Sequence, residues 1–443
     1  MAAAVEMVVN DAPFDLAVGP EAEEETAPEE RPDLLEAENG ELQKATFEAF
    51  VRWFLLCSIR FLHRYVGTLK DSKKMEVRVK RELALLDNLP ILYPFRSRRT
   101  KYNKPANDYF WRKVKAQVPV PSAPEDGFLI KVHAAGICHS DYTLLASTLK
   151  RPGFPDRYTL GHEGAGEIVQ IGEKVTSDLK IGDMVAVLSV PGCAAPDCAD
   201  CSRDLAQLCT RGQQYGLKDD GSFAAYVAIK AHAAVPIPQG VAATLATSST
   251  DALMTPFNAI VNRAKLKKGE TVLILGIGGL GFNALQLSLW LGANVYVLDK
   301  RQEVLERAII FGVQRENTFT SMATLSELIA SKNILIDTVV DFVGNEELFI
   351  TSQSIVRRGG TIVVVGIQAM RLSLDNATSL QKQLNILYSF GGSAGDVKKG
   401  LKLIAEGVVK PQIKTAPLSE FPRLVEDLHD GRVESRMVLI PDM

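Results

Sequence analysis

A chain of 443 residues with 46% hydrophobic and 23% charged content has ordinary globular composition, and at roughly 150 residues per domain it divides into two or three. A formal net charge of -3 argues against a nucleic-acid or anionic-membrane partner for the whole molecule, since phosphate binding rests on clustered positive charge. Four of the six cysteines crowd between Cys193 and Cys209, a distribution that suits metal binding in a reducing, cytoplasmic setting better than a disulfide framework. Residues 1–40 are rich in Glu, Ala and Pro, cannot bury enough apolar area to offset chain entropy, and read as an acidic tail with no signal-peptide core. The sign of the charge then reverses, from Arg52 through Arg99, across two predicted helices at about 41–69 and 74–86. The most apolar stretch, 47–66, is interrupted by Arg52, Arg60, His63 and Arg64; it reads as an amphipathic helix packed on the body or on a partner, with membrane-surface binding the lesser reading and Cys57 a small buried hydrophobe, and not as a membrane span.

From about 101 to 237 the chain changes to short β-branched runs broken by Gly and Pro, with strands expected at 128–132, 166–170, 184–190 and 223–229. After Asp251 strand and helix alternate: 271–275, 280–290, 295–298, then strands at 338–342 and 361–365, each continuously apolar as a strand covered on both faces should be. Helices at 397–406 and 421–430 lead to a final strand at 436–440.

Strand 271–275 runs straight into Gly276-Ile277-Gly278-Gly279-Leu280-Gly281, and a helical pattern follows. Alone a glycine fingerprint is weak; between a strand and a helix it marks a turn where a pyrophosphate meets the free N–H groups of a helix N-terminus. Asp299 ends the next strand, 23 residues after Gly276, where its carboxylate can accept both ribose hydroxyls of NAD and repel a 2'-phosphate. Lys300 and Arg301 come next and offer charge to such a phosphate, so NAD is expected over NADP without the alternative being closed.

Cys138-His139-Ser140-Asp141 follows a strand, and His162 comes 24 residues after Cys138, inside Gly161-His162-Glu163-Gly164-Ala165-Gly166. A thiolate and an imidazole together suit zinc, a catalytic zinc keeps three protein ligands and one open position, and Asp251 is the candidate third ligand. Over about residues 101–443 the chain resembles the zinc-containing medium-chain alcohol dehydrogenases. The resemblance rests on the Cys138 and Gly161-His162-Glu163 segments, the 172–185 run with Gly182-Asp183, the four-cysteine lobe, the glycine fingerprint, Asp299, and Arg358-Gly359-Gly360 leading to Gly366.

The resemblance implies two domains behind the extension of residues 1–100. One is a GroES-like β-barrel catalytic domain, 101–251 with the return 389–443; the other is a Rossmann coenzyme domain, 252–388, with a doubly wound parallel sheet. It implies two zincs per chain: a catalytic one on Cys138, His162 and Asp251, and a structural one on Cys193, Cys198, Cys201 and Cys209. The first gap of that lobe holds four residues where the family usually has two, an insertion around Ala195, Pro196 and Asp197 that keeps all four thiols. By the same resemblance Ser140 takes the substrate proton, His139 lies near the pyrophosphate, Asp141 and Glu163 orient the ligands, and Leu280 and Ile367 border the nicotinamide. Thr143 stands where many relatives carry a relay histidine, so proton release needs water or another group. His133, His232 and His429 are assigned no chemistry, and Met254 and Phe257 are expected to pack between domains. The implied reaction is reversible oxidation of a primary or secondary alcohol to the aldehyde or ketone with NAD, in a dimer or tetramer. A polyol dehydrogenase on the same fold and a non-catalytic NAD-binding protein are the rival readings.

Overall fold

In strand β1 (Gly127–Gly136) Phe128, Ile130 and Val132 point to one core while Lys131 and His133, on the other side, stay partly exposed. Side chains of period two make a strand with one buried face, and the same alternation builds its neighbours. The computed structural model describes residues 120–146, 154–155, 158–433 and 435–441, all within the unit Tyr102–Met443. The tail, the helices at 41–69 and 74–86, Cys57 and the start of the catalytic domain near residue 101 lie outside the described residues.

After β1 come helix α1 (His139–Ala146), β2 (Glu163–Ile171), β3 (Met184–Val187), β4 (Tyr226–Lys230) and β5 (Ala234–Pro236). Two short helical segments, α2 (Ala243–Ala246) and α3 (Met254–Phe257), lead to the second part of the chain. There β6 (Thr271–Leu275), α4 (Gly279–Trp290), β7 (Asn294–Leu298), α5 (Gln302–Ile310), β8 (Thr318–Phe319), α6 (Met322–Lys332), β9 (Ile336–Asp341), α7 (Glu346–Ile355), β10 (Val356–Val364), α8 (Asn376–Lys382) and β11 (Asn385–Tyr388) follow in turn. The chain ends through α9 (Ala394–Ala405), β12 (Ile413–Pro417), α10 (Phe421–His429) and β13 (Arg436–Ile440).

The first sheet has seven strands in the order β12-β13-β1-β2-β3-β5, with β4 paired to β1. Every pair is antiparallel except β12 with β13. Its core is the inner face of β1 to β4: Phe128, Ile130, Ile168, Val185, Val187, Val227 and Ile229. The last strand returns to this sheet, pairing Leu439 and Val438 with Ala135 and Gly136, so the C-terminal end is held against the segment that carries Cys138.

The second sheet has six strands, all parallel, ordered β11-β10-β9-β6-β7-β8. It is covered on both faces, as the continuous apolar runs require: Val272 and Ile274 of β6 join a core with Phe282, Leu285 and Val304, whereas Leu273 and Leu275 join another with Leu325, Ile329 and Phe349. Strand order reverses between β6 and β9, and ligands of open α/β sheets bind in the crevice outside the strand ends at such a point. Helix α9 belongs to both cores. Val397 and Leu401 pack with Leu188 and Val235 of the first part, and Leu403 and Ile404 with Val272 and Ile274 of the second. Met254 sits in the former cluster and Phe257 in the latter, so this pair does span the two cores.

The helix His139–Ala146 interrupts the expected all-β texture. It has no apolar stripe, and Asp141 is its one buried residue, which is why hydrophobic spacing missed it. The fourth strand starts at Tyr226 and not at 223, because the Phe223 N–H is bonded to the Leu160 carbonyl and its ring lies against Gly161. Among the described residues no helix is long and apolar enough to cross a membrane.

Candidate active site and metal centres

Two strand ends and an inter-helix turn converge on the first centre. Cys138 follows β1, His162 precedes Glu163 at the start of β2, and Asp251 lies between α2 and α3. Donor atoms of Cys138, His162, Glu163 and Asp251 all lie within 4.8 Å of one another. The Cys138 thiol donates to Asp251 Oδ2 at 3.5 Å. Zinc bonds of about 2.3 Å to sulfur and 2.1 Å to oxygen at tetrahedral angles place those atoms about 3.6 Å apart, so the pair fits one ion. His162 Nε2 is 4.0 Å from Asp251 Oδ2 and 3.8 Å from Glu163 Oε1.

Each donor is oriented by a second group. Asp141, fully buried, accepts the Cys138 backbone N–H at 2.8 Å and the His162 Nδ1–H at 3.1 Å. Holding Nδ1 in this way leaves Nε2 to face the cluster, the arrangement that metal-binding histidines use. Burial disfavours the His162 imidazolium, yet the Asp141 carboxylate and the Cys138 thiol outweigh it and hold the imidazole well above its ordinary range. A metal taking Nε2 would displace that proton. Asp251 Oδ1 accepts the Thr255 hydroxyl at 2.8 Å, leaving Oδ2 toward Cys138 and His162.

Arg436, at the head of β13, is the residue that sequence reasoning passed over. Its guanidinium pairs with the fully buried Glu163, Nε donating to Oε2 at 2.9 Å, and Nη2 donates to Asp251 Oδ2 at 3.2 Å. It also reaches the dinucleotide turn: a Cβ added to Gly279 would sit 3.0 Å from its Nη1. An arginine opening an otherwise apolar strand was the available signal, but its partners lie 273 and 185 positions away.

Ser140 lies at the exposed mouth of the cluster, its Oγ 3.7 Å from the Cys138 sulfur. His139 beside it is open to solvent although surrounded by the fold; partial desolvation and the charges of Arg436 and His429 hold its imidazole below the ordinary value. Thr143 donates to the His139 carbonyl at 3.1 Å, and His429 stacks on Tyr142 with ring centroids 3.8 Å apart. His133 lies 3.6 Å from Glu167 on the outer face.

The glycine turn stands at the switch point. Gly276 has φ +83° and Val343 Cγ2 only 2.7 Å from where a Cβ would be, and a Cβ on Gly281 would strike the Gly276 carbonyl at 1.9 Å. Gly278 caps α4 without any side-chain hydrogen bond and is open to solvent, so the helix N-terminus keeps its N–H groups for an anion. Leu280 follows half-buried, and Ile367 lies 75% exposed past β10, where Gly366 packs against Val343 and Gly344. Asp299 directly follows β7, one position past its last residue Leu298, and its carboxylate is already engaged by the Ile277 N–H and by Arg301. Lys300 is exposed.

The second centre gathers Cys193, Cys198, Cys201 and Cys209, with all four sulfurs within 4.8 Å. Cys193 and Cys201 are 3.8 Å apart and Cys198 and Cys209 3.7 Å, against about 3.8 Å for two thiolates on one tetrahedral zinc. The inserted residues bulge outward without parting the thiols: Ala194 takes φ +52°, Cys198 N–H bonds the Ala195 carbonyl, and Asp197 pairs with Arg211 at the surface. The Cys201 N–H holds the Cys198 thiol below its ordinary range, while desolvation pushes Cys201 up. Gly192 permits the closure, since a Cβ there would sit 2.8 Å from the Cys201 sulfur, and His232 Nε2 braces the Gly192 carbonyl at 3.1 Å.

A parallel sheet with an open glycine turn, next to a buried cluster of sulfur, imidazole and carboxylate donors able to hold a metal, defines a dinucleotide-dependent oxidoreductase. Comparison with known proteins agrees. The family model for the alcohol dehydrogenase GroES-like domain matches residues 124–239, and that for zinc-binding dehydrogenase residues 279–406. The chain is 31% identical over 336 residues to alcohol dehydrogenase 1 of Emericella nidulans, spanning 74% of this chain and 93% of that one. It is 29% identical to an alcohol dehydrogenase of Geobacillus stearothermophilus, over 74% and 95% of the two chains. The solved acetophenone reductase of Geotrichum candidum in complex with NAD superposes with a TM-score of 0.66 at 29% identity, over 73% of this chain and 92% of that one. The chain belongs to the zinc-containing medium-chain alcohol dehydrogenase family.

Proposed function

We propose that this chain transfers hydride reversibly between a primary or secondary alcohol and NAD, at a zinc held by Cys138, His162 and Asp251. A second zinc on Cys193, Cys198, Cys201 and Cys209 serves the fold. Bound zinc supplies Lewis acidity, which lowers the pKa of a coordinated hydroxyl, for water from 15.7 to about 7.

The protein's part is to hold and orient. Asp141 fixes the Cys138 segment and the His162 ring, Thr255 fixes Asp251, and Arg436 balances the carboxylates of Glu163 and Asp251. Ser140 Oγ, at the mouth of the cluster, receives the hydroxyl proton and passes it on. Thr143 has no basic atom and its hydroxyl is committed to the His139 carbonyl, so the proton leaves through water. On the cofactor side the free N–H groups at Gly278 to Gly281, with His139 near them, receive the pyrophosphate, Asp299 and Lys300 face the adenosine ribose, and Leu280 and Ile367 border the nicotinamide.

The observation that carries this reading is the reach of Arg436, one guanidinium that is bonded to the donor cluster and lies beside Gly279 of the glycine turn. It supports a reading in which the reacting carbon and the nicotinamide share one cleft. The two sheets support domains at 101–251 with 389–443, and at 252–388, although α9 packs into both cores. A homo-oligomer suits the edge of β11, which has no further strand partner among the described residues and where Tyr388 and Phe390 are exposed. A cytoplasmic location suits the described cysteines, none of which is in a disulfide.

The test is a panel of alcohols and carbonyls with NAD and NADH on metal-replete protein, read by nicotinamide absorbance. Turnover of simple alcohols is expected. Preference for sugar alcohols would move the substrate class to polyols, and tight NADH binding with no turnover anywhere in the panel would contradict the proposed reaction.

A further inference from the structure

The residue that selects the nucleotide is itself occupied. Asp299 is 7% exposed, and its two oxygens hold four hydrogen bonds. Oδ1 accepts the Arg301 backbone N–H at 3.0 Å and Arg301 Nε at 2.9 Å; Oδ2 accepts the Ile277 N–H at 2.8 Å and Arg301 Nη2 at 2.9 Å. A carboxylate offers about four lone-pair sites, so none is left for a ribose diol while the Arg301 fork is in place. The same fork cancels the charge by which Asp299 would repel a 2'-phosphate. Burial raises the Asp299 pKa, the guanidinium more than compensates, and the carboxylate is held below its ordinary range, ionised and paired. Arg301 is the residue before α5, and its side chain remains one-quarter exposed, so the guanidinium has solvent to move into.

We infer that Arg301 is a specificity-determining arm that narrows the preference for NAD over NADP, an inference that rests on the NAD reading above. For NAD, the fork leaves Asp299 and the ribose hydroxyls donate to the vacated oxygens. That exchange gives up two charge-assisted hydrogen bonds, so Arg301 works against NAD. For NADP, the guanidinium stands between the carboxylate and the 2'-phosphate, and its planar donors can serve both anions. Arg301 thus works for NADP. Exposed Lys300 adds charge on the same loop but no fork.

Opposite signs for the two cofactors distinguish this role from a structural one. The experiment is equilibrium titration of the full, zinc-loaded chain with NADH and with NADPH, read by nicotinamide fluorescence, for the unmodified protein, Arg301→Ala and Arg301→Lys. The unmodified protein is expected to favour NADH by about tenfold or less. Arg301→Ala should bind NADPH at least about tenfold more weakly and NADH as tightly or more tightly, the size expected for lost hydrogen bonds to a charged group. Arg301→Lys should fall between, with NADPH binding more salt-sensitive than NADH binding. Equal weakening of both cofactors by Arg301→Ala, or unchanged NADPH binding, would overturn the arm alone. Failure of the unmodified protein to bind NADH would overturn the dinucleotide reading and the arm with it.

Discussion

The two donor clusters differ in what surrounds them. The cysteine lobe is closed: four like donors at tetrahedral spacing, a surface bulge that absorbs the insertion, and no carboxylate among the ligands. The Cys138 cluster is mixed and open. Its three proposed ligands come from distant segments, its mouth carries the exposed Ser140, and it is held by Asp141, Thr255 and Arg436. A site that contributes to folding can saturate its metal; one that reacts needs a position left over and a surrounding shell that keeps its ligands in place.

The largest expected effect separates the two. Asp251→Ala should remove one metal and lower turnover by at least about a thousandfold, because the Lewis acid is lost, while the protein stays folded and still binds NADH. Measuring metal content, turnover and NADH binding together checks this, and an Asp251 variant with full zinc and activity would break the assignment. Cys198→Ser should do the reverse, lowering Tm by more than about 10 °C with turnover failing only as the lobe opens.

Arg436→Met comes next. It leaves buried Glu163 without its cation, a change that costs about 3–5 kcal/mol in other buried pairs. Both NADH affinity and catalytic metal content should fall, whereas the lobe should keep its zinc. Metal analysis with NADH titration would show it, and loss of lobe metal alone would contradict the coupling.

A smaller effect depends on pH. Asp341 ends β9 beside the glycine turn, fully buried; it accepts the Val343 and Gly344 N–H groups through Oδ1, and burial raises its pKa in spite of them. A carboxyl with a raised folded pKa costs nothing below its unfolded pKa, and its cost grows as pH rises through the folded one. Asp341→Asn should therefore compare more favourably with the unmodified protein at pH 8 than at pH 4, in Tm measured at both. A difference independent of pH would remove the carboxylate as its cause. The smallest effect belongs to the bulge: Asp197→Ala breaks only an exposed ion pair, and Tm and zinc content should not change measurably.

Much of this was legible because it is local in sequence. The turn at Gly276 to Gly281, the strand that leads into Asp299 and the order of the cysteines each follow from a few adjacent residues whose backbone or donor chemistry is demanding. The family resemblance supplied what spacing cannot, that Cys138, His162 and Asp251 belong together, and the structure brings their donor atoms into one cluster. Arg436 was not legible. Its value comes from the return of β13 to β1, a long-range pairing that no local pattern encodes. Nor was the state of Asp299: Arg301 was read as a possible phosphate partner, but only the side-chain geometry places its fork on the carboxylate that was to select against that phosphate.

The division of labour between the centres is tested most directly by counting zinc through a graded chelation, with turnover and Tm followed on the same samples. The unmodified protein should begin with two zincs per chain. The first to leave should take turnover with it at nearly constant Tm, and the second should leave only as the protein unfolds. A single zinc at the start, or two lost together with activity and stability in one step, would contradict it.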